Sequence, residues 1–301
     1  MIPEVNDLIE QFDQLGYVVE EELATVLLLI LRLQKPLLLE GPPGVGKTEA
    51  AKIIAAHKET NLIRLQCYEG LDVNNAVYEW NYQRQLLTIK IDEQTDLTAS
   101  QKEKHIFSQD FLLKRPLLEA ITSDKQTVLL IDEIDRADEE FEAFLLELLS
   151  DFQISIPELG TVKAKHRPIV VLTSNRTREL SDALKRRCLY HWVDFPSFQK
   201  EHAIVRKHID HIEEDVLTQL VTFVEALRTQ KLQKIPGIAE TIDWANALIS
   251  LNTKSLSPEV IEKTLGCVLK SNADIQMVKG NLSGLLADMS VEVDSSTDSV
   301  H

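Results

Sequence analysis

Gly41-Pro42-Pro43-Gly44-Val45-Gly46-Lys47-Thr48 decides the reading of this chain. Glycines, a lysine and a hydroxyl residue stand at the spacing of a phosphate-binding loop, between an apolar strand (Pro36 to Glu40) and a helix (Lys47 to Lys58). Glycine lets successive backbone N–H groups turn inward and cradle phosphate oxygens. In such a loop the lysine reaches the β- and γ-phosphates and the hydroxyl ligates Mg²⁺. The expected ligand is therefore ATP with Mg²⁺. The residues expected around it are Gly41, Pro42, Pro43, Gly44, Val45, Gly46, Lys47, Thr48 and the adjoining Glu49.

A second segment completes the pattern. Thr127-Val128-Leu129-Leu130-Ile131 is a continuous β-prone run, as in a strand buried on both faces, and it ends in Asp132-Glu133. Asp132 is expected to hold Mg²⁺ through water, with Thr48 as the other metal residue, and Glu133 to polarise the attacking water. An apolar run ending in acids is common, so the inference leans on the loop upstream. Thr173-Ser174-Asn175 ends the next strand, Pro168 to Thr173. The Asn175 amide suits either the γ-phosphate and the lytic water or a turn. Arg186-Arg187 follows a short helix; it is either a solvated basic patch or a source of an arginine for a neighbouring subunit's γ-phosphate.

Strands alternate with helices up to Pro196, which predicts a parallel α/β sheet in residues 1–195. Glu20 to Leu33 reads as a helix and Asn61 to Gln66 as the second strand. Within an insertion at about 67–110, Val73 to Tyr78 reads as helical and Leu86 to Ile91 as strand-like. Asp92 to Lys104 reads as a polar loop, and a helix is expected over Asp110 to Thr122, capped by Ser108. Gln153 to His166 has the alternation of a hairpin turning at Pro157 to Gly160, and Leu189 to Asp194 suits a fifth strand. Residues 196–288 carry helical periodicity alone, in stretches beginning near Lys200, Glu214, Ala239, Pro258 and Ala273. They predict an all-helical second domain, and the polar stretch 289–301 reads as a disordered tail.

The bulk numbers narrow the function. The 301 residues carry 48 acidic against 32 basic side chains, a net charge of −16, which counts against a protein that coats phosphate backbones. Three scattered cysteines make no disulfide framework and fit a reducing cytoplasm. Cys188 and His191 lack a second ligand pair, and His202, His208 and His211 read as a solvated helix face. Met1 to Glu10 has neither the basic start nor the apolar core of a signal peptide. The longest apolar run, Val26 to Leu31, is too short to span a bilayer, so no membrane insertion is expected.

Taken in order, the loop, the Asp-Glu strand, the strand-terminal asparagine, the arginines and the helical region resemble an AAA+ ATPase from Tyr17 to Ala287. More narrowly, the insertion after the second strand and the hairpin at 153–166 resemble the MoxR group. Gln66-Cys67-Tyr68-Glu69-Gly70, Tyr78-Glu79-Trp80, Phe111 to Leu118 and Ala183 to Cys188 resemble its CO-dehydrogenase-maturation (CoxD-like) branch. The resemblance implies a P-loop sheet with a helical lid and a homo-oligomeric ring, usually a hexamer. It also implies a chaperone that remodels or matures a client protein or metalloenzyme, working with a von Willebrand factor A domain partner. By position, Asn175 falls on the family's first sensor, Arg187 (or Arg186) on its arginine finger, and Gly16, Tyr17 and Val18 where the family packs adenine. The lid arginine common in the family has no counterpart in Pro236 to Thr241. Two other functions share the fold: a nucleic-acid-dependent motor, which the acidic charge disfavours, and a non-hydrolysing ATP-bound scaffold, which Glu133 disfavours.

Overall fold

The computed structural model describes residues 2–92, 98–157, 159–209 and 211–287. The expected tail at 289–301 lies outside the described residues, as do residues 93–97 of the expected polar loop. The chain forms two compact units. One comprises Met1–Leu15, Val19–Gly41 and Lys47–Val193; the other comprises Gly16–Val18, Pro42–Gly46 and Asp194–His301.

In the first unit the strands are β1 (Leu37–Glu40), β2 (Leu62–Gln66), β3 (Tyr78–Trp80), β4 (Leu112–Lys114), β5 (Val128–Asp132), β6 (Gln153–Ile156), β7 (Gly160–Lys163), β8 (Ile169–Ser174) and β9 (Leu189–Trp192). Its helices are α1 (Pro3–Gln14), α2 (Glu21–Leu33), α3 (Lys47–His57), α4 (Val73–Ala76), α5 (Tyr82–Asp92), α6 (Ala99–Ile106), α7 (Pro116–Thr122), α8 (Glu139–Asp151) and α9 (Asp182–Lys185). Five strands form a parallel sheet in the order β2-β5-β8-β1-β9. Every residue of β1, β5 and β8 is buried, which is why these strands read as unbroken apolar runs.

The register aligns the strand tips: Glu40 pairs with Ser174, and Gln66 with Asp132. The chain steps from β2 through β5 to β8, then passes to β9 on the far side of β1. Ligands of open parallel sheets bind beyond the carboxyl ends at such a switch point.

The hairpin forms as expected, β6 against β7. The insertion departs from expectation. Leu86 to Ile91 is helical rather than extended, because Asn81 accepts the Arg84 N–H at 3.0 Å and caps α5. The Gln85 amide then ties that helix to the Ile106 carbonyl at 2.7 Å. Helix α6 occupies part of the expected polar loop. The helix expected from Asp110 begins only at Pro116, since Leu112–Lys114 pairs antiparallel with β3. The missed start signal is a proline at the first helical position, and Ser108 caps nothing.

The second unit holds α10 (Phe198–His208), α11 (Glu214–Arg228), α12 (Ile238–Ser250), α13 (Pro258–Val268) and α14 (Asn272–Gly280). His211 lies past the end of α10, off the helix expected to carry it. Trp244, fully buried, meets Phe223 edge-on at 5.5 Å and donates its indole N–H to Thr264 at 2.8 Å. Buried Glu201 accepts two bonds from Arg228 and one from Thr241, while Arg228 Nε donates to the Pro236 carbonyl at 2.9 Å. With every polar group satisfied, this network fixes the segment that leads into α12.

Candidate nucleotide site

The phosphate loop starts where β1 ends. A Cβ on Gly41 would lie 2.0 Å from the Val193 carbonyl oxygen, so close passage of the chain beyond β9 admits glycine alone. Gly46 takes φ +91°, a left-handed conformation that favours glycine. Lys47, buried, donates from Nζ to the Gly41 carbonyl at 2.8 Å. Burial lowers the Lys47 pKa from 10.5 to about 8, against the opposing pull of Asp135, Asp132, Glu133 and Glu40. An ammonium held short of water among carboxylates is poised to gain from a polyphosphate.

Asp132, at the tip of β5, is the hub of the other half. Its Oδ1 accepts from Thr173 Oγ1 at 2.5 Å and from Thr48 Oγ1 at 3.2 Å, and its Oδ2 accepts from Arg64 Nη2 at 2.5 Å. A hydroxyl and a carboxylate meeting this way form an all-oxygen donor set, which suits Mg²⁺. Glu133 follows in the left-handed region, φ +54° and ψ +49°. For a residue with a side chain this costs about 1 kcal/mol. The conformation is held because the Glu133 N–H donates to Thr173 Oγ1 at 2.9 Å. One threonine hydroxyl thus serves the carboxylate of Asp132 and the backbone of Glu133 together. The Glu133 carboxylate pairs with Arg136 Nε at 2.7 Å.

Buried Asp135 organises the tip of β8. It accepts from the backbone N–H groups of Asn175 (3.1 Å) and Thr177 (2.8 Å) and from the Thr177 hydroxyl (2.7 Å). Ser174 Oγ donates to Glu40 Oε1 at 3.0 Å, linking the tips of β8 and β1.

Residues 36–188 match the AAA domain (dynein-related subfamily). The chain belongs to that family. Among curated proteins, this AAA domain chain is 26% identical over 260 residues to the uncharacterised protein SH1500 of Staphylococcus haemolyticus, covering 83% of this chain and 90% of the relative. It is 22% identical over 269 residues to the gas vesicle ATPase GvpN of Haloferax mediterranei, covering 85% and 74%. Among solved structures it is similar to a variant of RuvB from Thermotoga maritima, with a TM-score of 0.50 and 20% identity, over 83% of this chain and 70% of that one. At that identity the likeness shows the fold, a P-loop sheet flanked by helices.

Other residues of this AAA domain that sequence reasoning singled out are placed as follows. Pro42–Gly46, Tyr17 and Val18 group with the helical unit. Inside that unit the Gly44 carbonyl accepts the Ile238 N–H at 2.9 Å, and a Cβ on Gly237 would lie 2.7 Å from Gly44 backbone. Tyr17 and Val18 are half-buried. Glu49 pairs with Lys52 at 2.6 Å. Arg187 bonds Ser150 Oγ at 2.6 Å and the Ala183 carbonyl at 2.7 Å, whereas Arg186 is exposed. Of the stretch Tyr78-Glu79-Trp80, Trp80 is buried against Tyr78 and Phe107.

Sequence reasoning assigned no role to Arg64, Thr173, Asp135 or Arg136. For Arg64 a signal existed: a cation in Leu62-Ile63-Arg64-Leu65-Gln66, on the same strand face as the tip residue Gln66.

Among the described residues no helix is long and apolar enough to cross a membrane, and no group of three or more His, Cys, Asp or Glu side chains could hold a metal. An Mg²⁺ site here would share its ligands with the nucleotide, as Mg²⁺ sites usually do.

Proposed function

We propose that this AAA+ ATPase hydrolyses ATP with Mg²⁺ as a MoxR-type chaperone ring, remodelling or maturing a client protein. The observation that carries the reading is the meeting of Thr48 with Asp132 beside Lys47 and Glu133, from segments more than eighty residues apart in sequence. Lys47 and the loop amides bind the β- and γ-phosphates. Thr48 and Asp132 hold the metal, which when bound neutralises charge that builds on the phosphate oxygens. Glu133 accepts the proton of the attacking water. Arg136 pairs with the Glu133 carboxylate in the free protein, so the pair has to open for the carboxylate to reach the water. Asn175, fixed through its backbone by Asp135, orients the water or the γ-phosphate.

The Arg186–Arg187 pair supplies the arginine that a neighbouring subunit's site needs. Because the Arg187 guanidinium is bonded within its own subunit and Arg186 is exposed, Arg186 is the better placed of the two. The ring, its hexameric size, the von Willebrand factor A partner, the cytoplasmic setting and the CoxD-like role rest on the sequence resemblance. A relative named as a gas vesicle ATPase supports the ATPase activity and says nothing of the client.

The test is phosphate release by mixed subunits. Lys47→Ala protein mixed with Arg186→Ala protein should regain turnover that each lacks alone, and Arg187→Ala in the same mixture should show less of this rescue. If neither mixture regains turnover, donation across an interface is wrong.

A further inference from the structure

Arg64 is the charged residue of β2, the strand at the end of the sheet beside β5. Strand alternation buries Ile63 and Leu65 on one face and puts Arg64 with Gln66 on the other. Gln66 is the register partner of Asp132, and its side-chain oxygen accepts from Arg64 Nη2 at 2.6 Å. The same nitrogen donates to Asp132 Oδ2 at 2.5 Å.

The two oxygens of Asp132 are thus divided between two sides. Thr173 serves Oδ1, Arg64 holds Oδ2 with that oxygen's shorter bond at 2.5 Å, and Thr48 Oγ1 lies between the two, 3.2 Å from Oδ1 and 3.5 Å from Oδ2. A carboxylate bonded at one oxygen alone swings about a broad, two-fold torsion; one held at both oxygens does not. We propose that Arg64 is a positioning residue for the metal: braced by Gln66, it fixes the orientation in which Asp132 presents its carboxylate beside Thr48, and so sets the Mg²⁺ concentration at which nucleotide binds. This rests on the reading of Asp132 as a metal-holding carboxylate.

Two effects of Arg64 oppose each other. A nearby guanidinium repels a divalent cation, and its hydrogen bond orients the metal's ligand. The Arg64 side chain is 52% exposed against 5% for Asp132, so water and salt screen the repulsion. Direct hydrogen bonds that orient a metal ligand are worth roughly 10–100-fold in metal affinity. Orientation wins. Asp132 keeps its bonds from Thr173 and Thr48 when the exposed Arg64 end of the pair is removed, so the loss falls on the site more than on stability.

The experiment titrates Mg²⁺ into full-length protein with a fluorescent ADP analogue and reads the Mg²⁺ concentration at half-saturation, with thermal melting alongside. Arg64→Ala is expected to melt near wild type and to raise that midpoint about tenfold or more. Arg64→Gln keeps a donor without the charge and should recover most of the shift. An Arg64→Ala midpoint equal to or below wild type overturns the proposal, and so does a Gln variant no better than Ala. Wild-type binding that ignores Mg²⁺ altogether overturns both the proposal and the metal reading beneath it.

Discussion

The strand tips of the sheet and the insertion between β2 and β5 obey different rules. At the tips nearly every polar group has a named partner: Asp132 has three donors, Asp135 has three, and Thr173 serves two residues. Each side chain there is determined by its neighbours, and each is exposed to loss when a neighbour changes. In the insertion α5 sends Tyr82, Leu86, Leu87 and Ile91 into solvent, each about 60% exposed. Little in the described fold determines those residues. The contrast separates residues selected by chemistry at a site from residues that the folded monomer does not need.

Substitutions can break or sharpen that contrast. Glu133→Gln removes a proton acceptor and leaves the surrounding hydrogen bonds to the backbone in place. Turnover should fall roughly 10²–10⁴-fold while nucleotide still binds, as read by phosphate release and by filter retention of labelled ATP. Unchanged turnover would take the glutamate out of the mechanism.

Thr173→Val keeps the shape of β8, removes one of the two donors to Asp132 Oδ1 and strips the acceptor from the Glu133 N–H. Leaving the Glu133 N–H unsatisfied and Asp132 short of a donor should cost about 1–3 kcal/mol in denaturant unfolding and lower turnover as well. A variant with wild-type stability would mean that the threonine hydroxyl does not bridge the two residues.

The lowered pKa of Lys47 gives a dependence on pH with a definite sign. In the free protein Lys47 is charged below about 8 and loses its proton as the pH rises through that value. Phosphate binds the charged form, so above that point binding must take up a proton. Affinity should be level near pH 7 and weaken by up to about tenfold per pH unit above 8, measured by nucleotide titration from pH 6.5 to 9.5. A flat profile across that range would show that Lys47 keeps an ordinary pKa.

The smallest effect is expected in α5. Leu86→Ser with Leu87→Ser should leave the melting temperature nearly unchanged, since surface substitutions stay within about 0.5 kcal/mol each, and basal ATP turnover should not move. A large loss of stability would place those leucines in a core.

What the sequence disclosed follows the same division. Gly41 to Thr48, the run into Asp132-Glu133 and the tip at Asn175 were legible because loop spacing and unbroken apolar strands are local patterns. Five parallel strands and a helical second unit followed from their alternation. Arg64, Thr173 and Arg136 acquired roles only in space, because a sequence does not announce which strand lies beside which. The insertion misled for a physical reason. Leu87, Ile89 and Ile91 alternate with Thr88 and Lys90 as a strand would, yet the Asn81 cap and the tie from Gln85 to Ile106 commit the segment to a helix. Its exposed leucines never supplied the buried face that helical periodicity would have revealed.

Calorimetric titration of Mg·ATP into wild-type protein, with Lys47→Ala as the comparison, reaches most directly the claim that two distant segments jointly hold a metal-bound triphosphate. Saturable heat at one nucleotide per chain is expected for wild type, and none for the variant. No heat from wild type, or equal heat from both proteins, would contradict it.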